Sequence, residues 1–313
     1  MSDEILISIC IPTYNRSEIL NENLRRLLLC KEFDSSVELV ISDNCSIDST
    51  KEVVSSYIRK FPEKRIVYNR NEVNIRDKNF LKVLSLGNGE YLKLYNDYTC
   101  LCNDDLALMK SIIRSCKAKR EQLFFYDNLR TKANKYDQIK IAGTDGFVRL
   151  VNNKITWISN FGCWREQLCE LHEYDQYSNL QLLQAFWTLH LVSKTSQIVV
   201  INMQYDLIRT HDRNRVSYNF FQVHVENYYS ILNSFQKRGL LTEKTIRYDK
   251  YRTLSDFVGN SICNFLLIPR SIDFSRYESW KIVFKHFWNI PFFYIVPFSA
   301  IINKISKIIH HRV

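Results

Sequence analysis

The stretch ILISICIPTYNR (5–16) decides the fold class. Its short apolar run, ILISICI, is closed by Pro12 and reads as a fully buried strand. A polar cluster follows, Thr13-Tyr14-Asn15-Arg16. Ser17 is then placed to cap a helix whose apolar face is Ile19, Leu20, Leu24, Leu27 and Leu28. The same unit repeats downstream. VELVIS (37–42) is a second buried strand, ended by Asp43-Asn44, and a helix from Ser46 toward Phe61 follows with Val53, Val54, Tyr57 and Ile58 inward. RIVYN (65–69) is a third strand. The polar loop NEVNIRDKN leads to a short helix over 80–86, and a strand runs from Tyr91 into Asn96-Asp97-Tyr98. Asn103 is placed to cap a helix with Leu106, Met109, Ile112 and Ile113 inside, and EQLFFYD (121–127) is one more strand. Strands alternating with helices give a mostly parallel sheet with right-handed crossovers.

Such sheets bind ligands beyond the carboxyl ends of their strands. The clusters at Thr13–Arg16, Asp43-Asn44 and Asn96–Tyr98 all fall at those ends. Each alone is ordinary turn chemistry. Three on successive strand ends point to one shared site. No GxGxxG follows a strand and no GxxxxGK[ST] occurs, so neither a dinucleotide fold nor a P-loop is expected. The phosphates of any nucleotide are then met by a cation or by Lys and Arg.

The chain is 313 residues long, with 46% hydrophobic and 24% charged residues and few Gly (7) or Pro (5), which suits a globular protein with a large core. Its net charge is 43 − 33 = +10. Residues 270–313 carry seven Lys and Arg against Asp273 and Glu278, so half the surplus sits in the tail. The core domain has no basic stripe interleaved with aromatics, and nucleic acid is not an expected partner. The nine Cys form no CxxC and no zinc spacing. Cys100/Cys102 and Cys163/Cys169 lack the context of redox pairs. The opening MSDEILISICIP has acids where a secretion signal has Lys or Arg, so a cytoplasmic chain is expected.

The segments SICIPTYNR (8–16), ELVISDNCSIDST (38–50) and NEVNIRDKNFLKVLSLGNGEYLKLYND (71–97) together resemble the family 2 glycosyltransferases, whose nucleotide-sugar domain has the GT-A fold. Order and spacing agree across about residues 5–127. Beyond that the resemblance is looser, closest to bacterial O-antigen and capsule transferases. The resemblance implies an α/β, GT-A-like, mostly parallel sheet flanked by helices, with a helical C-terminal extension. It implies that Pro12, Thr13 and Tyr14 line the base pocket. Asp43 would accept a hydrogen bond from base or ribose, with Asn44 beside it. Asp97, next to Asn96, would reach the diphosphate through a divalent cation, Mg²⁺ or Mn²⁺. It further implies transfer with inversion, in which a carboxylate base deprotonates the acceptor hydroxyl.

Two departures stand out. The family's N-x-G before the third motif is Asn74-Ile75-Arg76 here, so Arg76 and Lys78 occupy a loop near the expected phosphates; a solvated loop is the alternative. Tyr98 and Thr99 stand where Asp is common, leaving Asp97 alone. Asp104-Asp105 follow Asn103 and read as the first turn of a helix, where acids are favoured. One carboxylate suffices for a cation that keeps waters and takes phosphate oxygens.

Past residue 130 the alternation fades. Helices are expected over 178–193, 219–237 and 243–267, with a strand QIVVIN at 197–202. Among Glu166, Glu170, Glu173 and Asp175, Asp175 has the best location for the base. Trp164 is either a sugar-stacking ring or a buried one. His172 and His190 read as structural, and Arg209, His211, Arg213 and Arg215 as a basic loop. Residues 280–313, WKIVFKHFWNIPFFYIVPFSAIINKISKIIHHRV, mix Trp, Tyr and Lys, and their uncharged run (287–303) is short for a span. They read as a segment lying on an anionic membrane surface, with a packed helix pair as the alternative. The expected layout is 1–130 for nucleotide-sugar binding, 131–215 for the acceptor side, 216–279 as helical extension and 280–313 as membrane segment. The expected activity is sugar transfer from a nucleotide-sugar donor to a lipid-linked oligosaccharide at the inner face of the plasma membrane; the alternative is a degenerate binder without turnover.

Overall fold

The computed structural model describes residues 4–126, 134–172, 179–208, 219–259 and 277–295. Four parallel strands form the centre of the first sheet: β1 (Ile7–Thr13), β2 (Val37–Asp43), β3 (Arg65–Arg70) and β4 (Tyr91–Leu94). The order is β3-β2-β1-β4, and a short strand at Gly162–Trp164 closes the far edge antiparallel to β4. The helices α1 (Ser17–Leu28), α2 (Thr50–Lys60) and α3 (Lys78–Ser85) connect these strands, and α4 (Asn103–Cys116) follows β4. Along β1 the odd residues Ile7, Ile9 and Ile11 join Leu39 and Ile41 of β2, Leu20, Leu24 and Leu27 of α1, and Met109, Ile112 and Ile113 of α4 in one core. This is the period-two burial of a strand meeting the period of two helices.

The motif residues explain themselves locally. Gly89 passes so close to β1 that a Cβ there would lie 2.5 Å from the Ser8 nitrogen. Its amide donates to Ser8 Oγ at 2.8 Å, and Ser8 Oγ donates to buried Glu38 at 2.7 Å. The helix starts differ from expectation. Ser17 is the first helical residue rather than a cap, and its amide donates to Asp48 Oδ2 at 2.8 Å. Asp48 Oδ1 also accepts from the Thr50 amide and hydroxyl, so one carboxylate serves the starts of α1 and α2. The residue before α4 is Cys102, not Asn103; its amide donates to Asp105 Oδ2 at 3.0 Å. Asn103 instead accepts from the Lys31 amide at 2.7 Å. In both places a tertiary partner outcompetes the local cap. Asp105 is the helix-start acid that its position suggested.

A second sheet orders β5 (Gln122–Tyr126), β7 (Ile198–Asn202) and β6 (Gln138–Ile141). Another helix, Leu183–Lys194, is buried over most of its circumference. The chain divides into two compact units, residues 1–143 with 154–214, and residues 144–153 with 215–313. In the second unit the helices Tyr228–Lys237 and Glu243–Thr253 meet at Asp249, which lies fully buried and accepts from Asn152 Nδ2, Tyr228 OH, Tyr229 OH and Thr253 Oγ1. The eight described cysteines are free thiols. No helix among the described residues is long and apolar enough to cross a membrane.

Candidate functional site

The strand order reverses at β1: β2 and β3 lie on one side and β4 on the other. Crevices at such a reversal are where open α/β sheets take ligands. Thr13 ends β1 and Asp97 follows β4, and the two meet there. Thr13 Oγ1 donates to Asp97 Oδ2 at 3.1 Å, and Arg16 Nη1 pairs with Asp97 Oδ1 at 2.9 Å. Asp97 is only 4% exposed, while the Arg16 side chain is 39% exposed. Burial holds the Asp97 carboxyl above its ordinary range, against the opposing pull of the Arg16 charge and the Arg16 and Thr13 hydrogen bonds. Arg16 also lies over the Tyr98 ring, 5.8 Å from its centroid.

The turn that carries Asp97 is fixed from two sides. Asn23 of α1 donates through Nδ2 to the Asp97 carbonyl at 2.7 Å and the Thr99 carbonyl at 3.1 Å. Ser159 Oγ accepts from the Asn96 amide at 2.9 Å and shares a hydrogen bond with Thr99. Ser159 is held in turn by Lys93, whose ammonium is fully buried and donates to the carbonyls of Leu94, Ser159 and Phe161.

The second strand end is tied to the first. Thr13 and Asp43 are register partners, and the Asn44 amide donates to the Thr13 carbonyl at 2.9 Å. Fully buried Asp43 accepts from the Ser46 amide and from Tyr68 OH, each at 2.8 Å, with Arg70 Nε at 3.7 Å. The hydroxyl of Tyr68 is held well above its usual range by burial first and by the Asp43 bond second. Asn44 fastens the 71–77 loop: its Nδ2 donates to Asn74 and to the Arg76 carbonyl, and its Oδ1 accepts from Ile75 and Asn71. Arg76 is exposed on this loop, and Lys78 is exposed at the start of α3, directly after it. Arg76 sits at φ 52°, a left-handed conformation that glycine adopts without strain. Asn15 and Cys45, in the two other strand-end loops, are also left-handed. Tyr14 is 44% exposed, and Pro12 is half-buried at the end of β1.

Residues 8–122 match the sequence family described as Glycosyl transferase family 2. These residues are a family 2 glycosyltransferase domain. Abequosyltransferase RfbV of Salmonella typhimurium is 40% identical over 114 residues, 36% of this chain and 33% of that protein. An uncharacterized glycosyltransferase of Mycoplasma genitalium, MG025, is 32% identical over 111 residues, 36% of this chain and 35% of that protein. The matches thus span about a third of the length of these curated relatives. The crystal structure of S. aureus TarS 1-349 in complex with UDP-GlcNAc superposes with a TM-score of 0.58 at 13% identity, covering 95% of this chain and 89% of that one. The fold is therefore the expected GT-A arrangement.

The expected site residues fall into three groups. Thr13, Asp43, Asn44, Asn96 and Asp97 are joined by the bonds above. Arg76 lies on the loop that Asn44 holds, and Lys78 begins α3 just after it. Asp175 and Glu173 lie outside the described residues, as do Arg209, His211, Arg213 and Arg215. Glu166 is exposed and paired with Arg120, and Glu170 accepts from Lys194 and His190. Trp164 is not a sugar platform. It is fully buried, donates to the Glu121 carbonyl at 3.0 Å, and packs edge-on against Tyr91.

The family resemblance implies a divalent cation beside Asp97. Both Asp97 oxygens are engaged, by Arg16 and Thr13. Asp105 is bound to Cys102, Tyr136 and Lys135. No group of three His, Cys, Asp or Glu among the described residues could hold a metal ion. Among the described residues Asp97 is the one carboxylate at this strand end, and the positive charge against it is Arg16. Arg16 lay within a quoted cluster, but only the closure of α1 onto the end of β4 gives it this partner.

Proposed function

We propose that this chain transfers a sugar, with inversion, from a nucleoside-diphosphate donor to a lipid-linked saccharide during cell-surface polysaccharide synthesis. The observation that carries this reading is the Thr13–Arg16–Asp97 cluster at the point where the strand order reverses. Pro12, Thr13 and Tyr14 border the base. Asp43, fully buried behind Tyr68 and Arg70, meets the base or ribose once Tyr68 OH gives up its bond, because each carboxylate oxygen accepts more than one hydrogen bond. Asn96 stands beside the diphosphate. Arg16, oriented by Asp97, meets the charge that grows on the departing diphosphate, with Arg76 and Lys78 as outer cations. Such preorganised charge is most effective where the transition state gains it.

The acceptor hydroxyl oxygen attacks the anomeric carbon, the bond to the diphosphate oxygen breaks, and a carboxylate takes the hydroxyl proton. Asp175 is our proposal for that base. The relative named as an abequosyltransferase and the TarS complex with UDP-GlcNAc support a nucleotide-sugar donor. The acceptor is placed at the inner face of the plasma membrane, with residues 280–313 against the lipid.

A second reading, a nucleotide-sugar binder without turnover, is favoured by one observation: Asp97 is the single carboxylate of its strand-end cluster. A thermal-shift screen of nucleoside diphosphates, with and without Mn²⁺, tests both. One base should raise the melting temperature by several degrees. The Mn²⁺ arm asks whether Asp97 exchanges Arg16 for a cation. No shift with any nucleotide would contradict both readings, and a shift without sugar turnover would select the binder.

A further inference from the structure

We infer that the helix Tyr277–Phe287 docks on an anionic lipid bilayer through an exposed aromatic ridge made by Trp280, Phe284 and Trp288. The three residues are spaced at i, i+4 and i+8, so they stand one above another on one helix face. The Trp288 amide donates to the Phe284 carbonyl at 3.0 Å, which carries the helical geometry past the end of the helix. They are 40%, 55% and 53% exposed, although each is a large ring. Phe284 and Trp288 stack with ring centroids 6.5 Å apart. The turn Pro291–Tyr294 folds back onto them: Phe293 meets Phe284 edge-on at 6.3 Å, and Tyr294 OH donates to the Trp288 carbonyl at 2.9 Å. Tyr294 and Ile295 are exposed as well.

The opposite face of the helix is already used within its own unit. Ile282, Val283 and Phe287 are buried, and His286 stacks on Tyr229 and bonds to Glu226. The ridge is therefore a second apolar face, separate from the one that packs the helix. Contiguous exposed aromatics of this kind mark an interaction surface.

Charge and residue type select the occupant. Residues 279–313 contain no Asp or Glu, but they contain Lys281, Lys285, Lys304, Lys307 and Arg312. Lys281 is exposed beside the ridge, while Lys285 pairs with Glu226 at 2.7 Å. Trp and Tyr place an apolar body in lipid and a polar edge in water, and Lys next to them meets anionic headgroups. A protein partner would need complementary apolar and acidic surface; an anionic bilayer supplies both. This inference deepens the proposed placement of the acceptor at the membrane and rests on that part of the reading.

The test is co-sedimentation of the full-length chain with phosphatidylglycerol/phosphatidylcholine vesicles and with phosphatidylcholine vesicles alone. The wild type should pellet with the anionic vesicles, and added salt should weaken it. The Trp280→Ser/Phe284→Ser/Trp288→Ser variant should lose at least about tenfold in partitioning. Lys281→Glu should lose a smaller factor, confined to anionic vesicles. Melting curves report that the variants fold. Equal pelleting of wild type and ridge variant would overturn the inference. So would a concentration-dependent dimer in ultracentrifugation, lost in the ridge variant while neither protein binds vesicles, because the occupant would then be a second copy. The nucleoside-diphosphate shift on the same preparations reports the donor site independently, so failure of the ridge and failure of the transferase reading give different results.

Discussion

Asp97 and Asp249 are both buried carboxylates, and the protein answers them in opposite ways. Asp97 stands at a strand end with one charged partner, Arg16, whose side chain reaches solvent. Asp249 is sealed in the helical unit among four neutral donors from Asn152, Tyr228, Tyr229 and Thr253. Burial raises both, Asp249 to about 7 despite its four hydrogen bonds. A perturbed acid is thus no guide to function by itself. What separates the two is position and counter-charge. A cation open to solvent can be shared with an arriving diphosphate, whereas a closed ring of hydroxyls and an amide can only tie helices together.

Replacing Arg16 should break the comparison most severely. Arg16→Met removes the charge opposite Asp97, and turnover should fall by about a hundredfold or more while the fold survives. Nucleoside-diphosphate affinity, measured by calorimetry, should fall with it; unchanged affinity would assign Arg16 a structural role only. For Asp249 the expectation concerns stability. Burial pushes its carboxyl up to about 7, above the ordinary aspartate value of about 4, so between these the folded state holds a proton that the unfolded state has released. Stability should therefore decline as pH rises from about 4 to about 7 and level off above that. Asp249→Asn should flatten this slope in melting curves taken across the range, and a wild-type curve already flat there would refute the assignment.

Asn44→Ala comes next. It removes the acceptor of the Ile75 amide and one hydrogen bond each from Asn71 and Asn74, which keep partners in Asn79 and the Arg76 amide, a loss of about 1 kcal/mol in denaturant unfolding. It should also weaken nucleotide binding by loosening the loop that carries Arg76 and leads into Lys78. The smallest effect is expected at Arg76 itself. Arg76→Gly relieves a left-handed residue and should stabilise the fold by up to about 1 kcal/mol. Turnover should nonetheless drop, because an outer cation is gone. A variant both more stable and equally active would remove Arg76 from the phosphate site.

Much of this was legible in the chain. Short apolar runs ending in polar clusters gave the parallel strands and put three polar clusters at their ends, since both follow from local pattern. Asp105 read correctly as a helix-start acid. Other features depended on contacts distant in sequence. Ser17 and Asn103 have cap chemistry, but Asp48 and Lys31 reached them from other elements. Arg16 and Ser159 gained their roles only when α1 and the 159–161 segment closed on the end of β4. Trp164 looked available for a sugar until its strand was placed against Tyr91.

The most direct measurement is release of nucleoside diphosphate from a panel of nucleotide sugars, with a lipid-linked saccharide extract as acceptor, by wild type and Asp97→Ala. The wild type should turn over one donor. The variant should be slower by about two orders of magnitude or more, with a melting curve that shows an intact fold. Equal rates in the two proteins, or no turnover of any donor by the wild type, would contradict the claim that the Asp97–Arg16–Thr13 cluster is a glycosyl-transfer site.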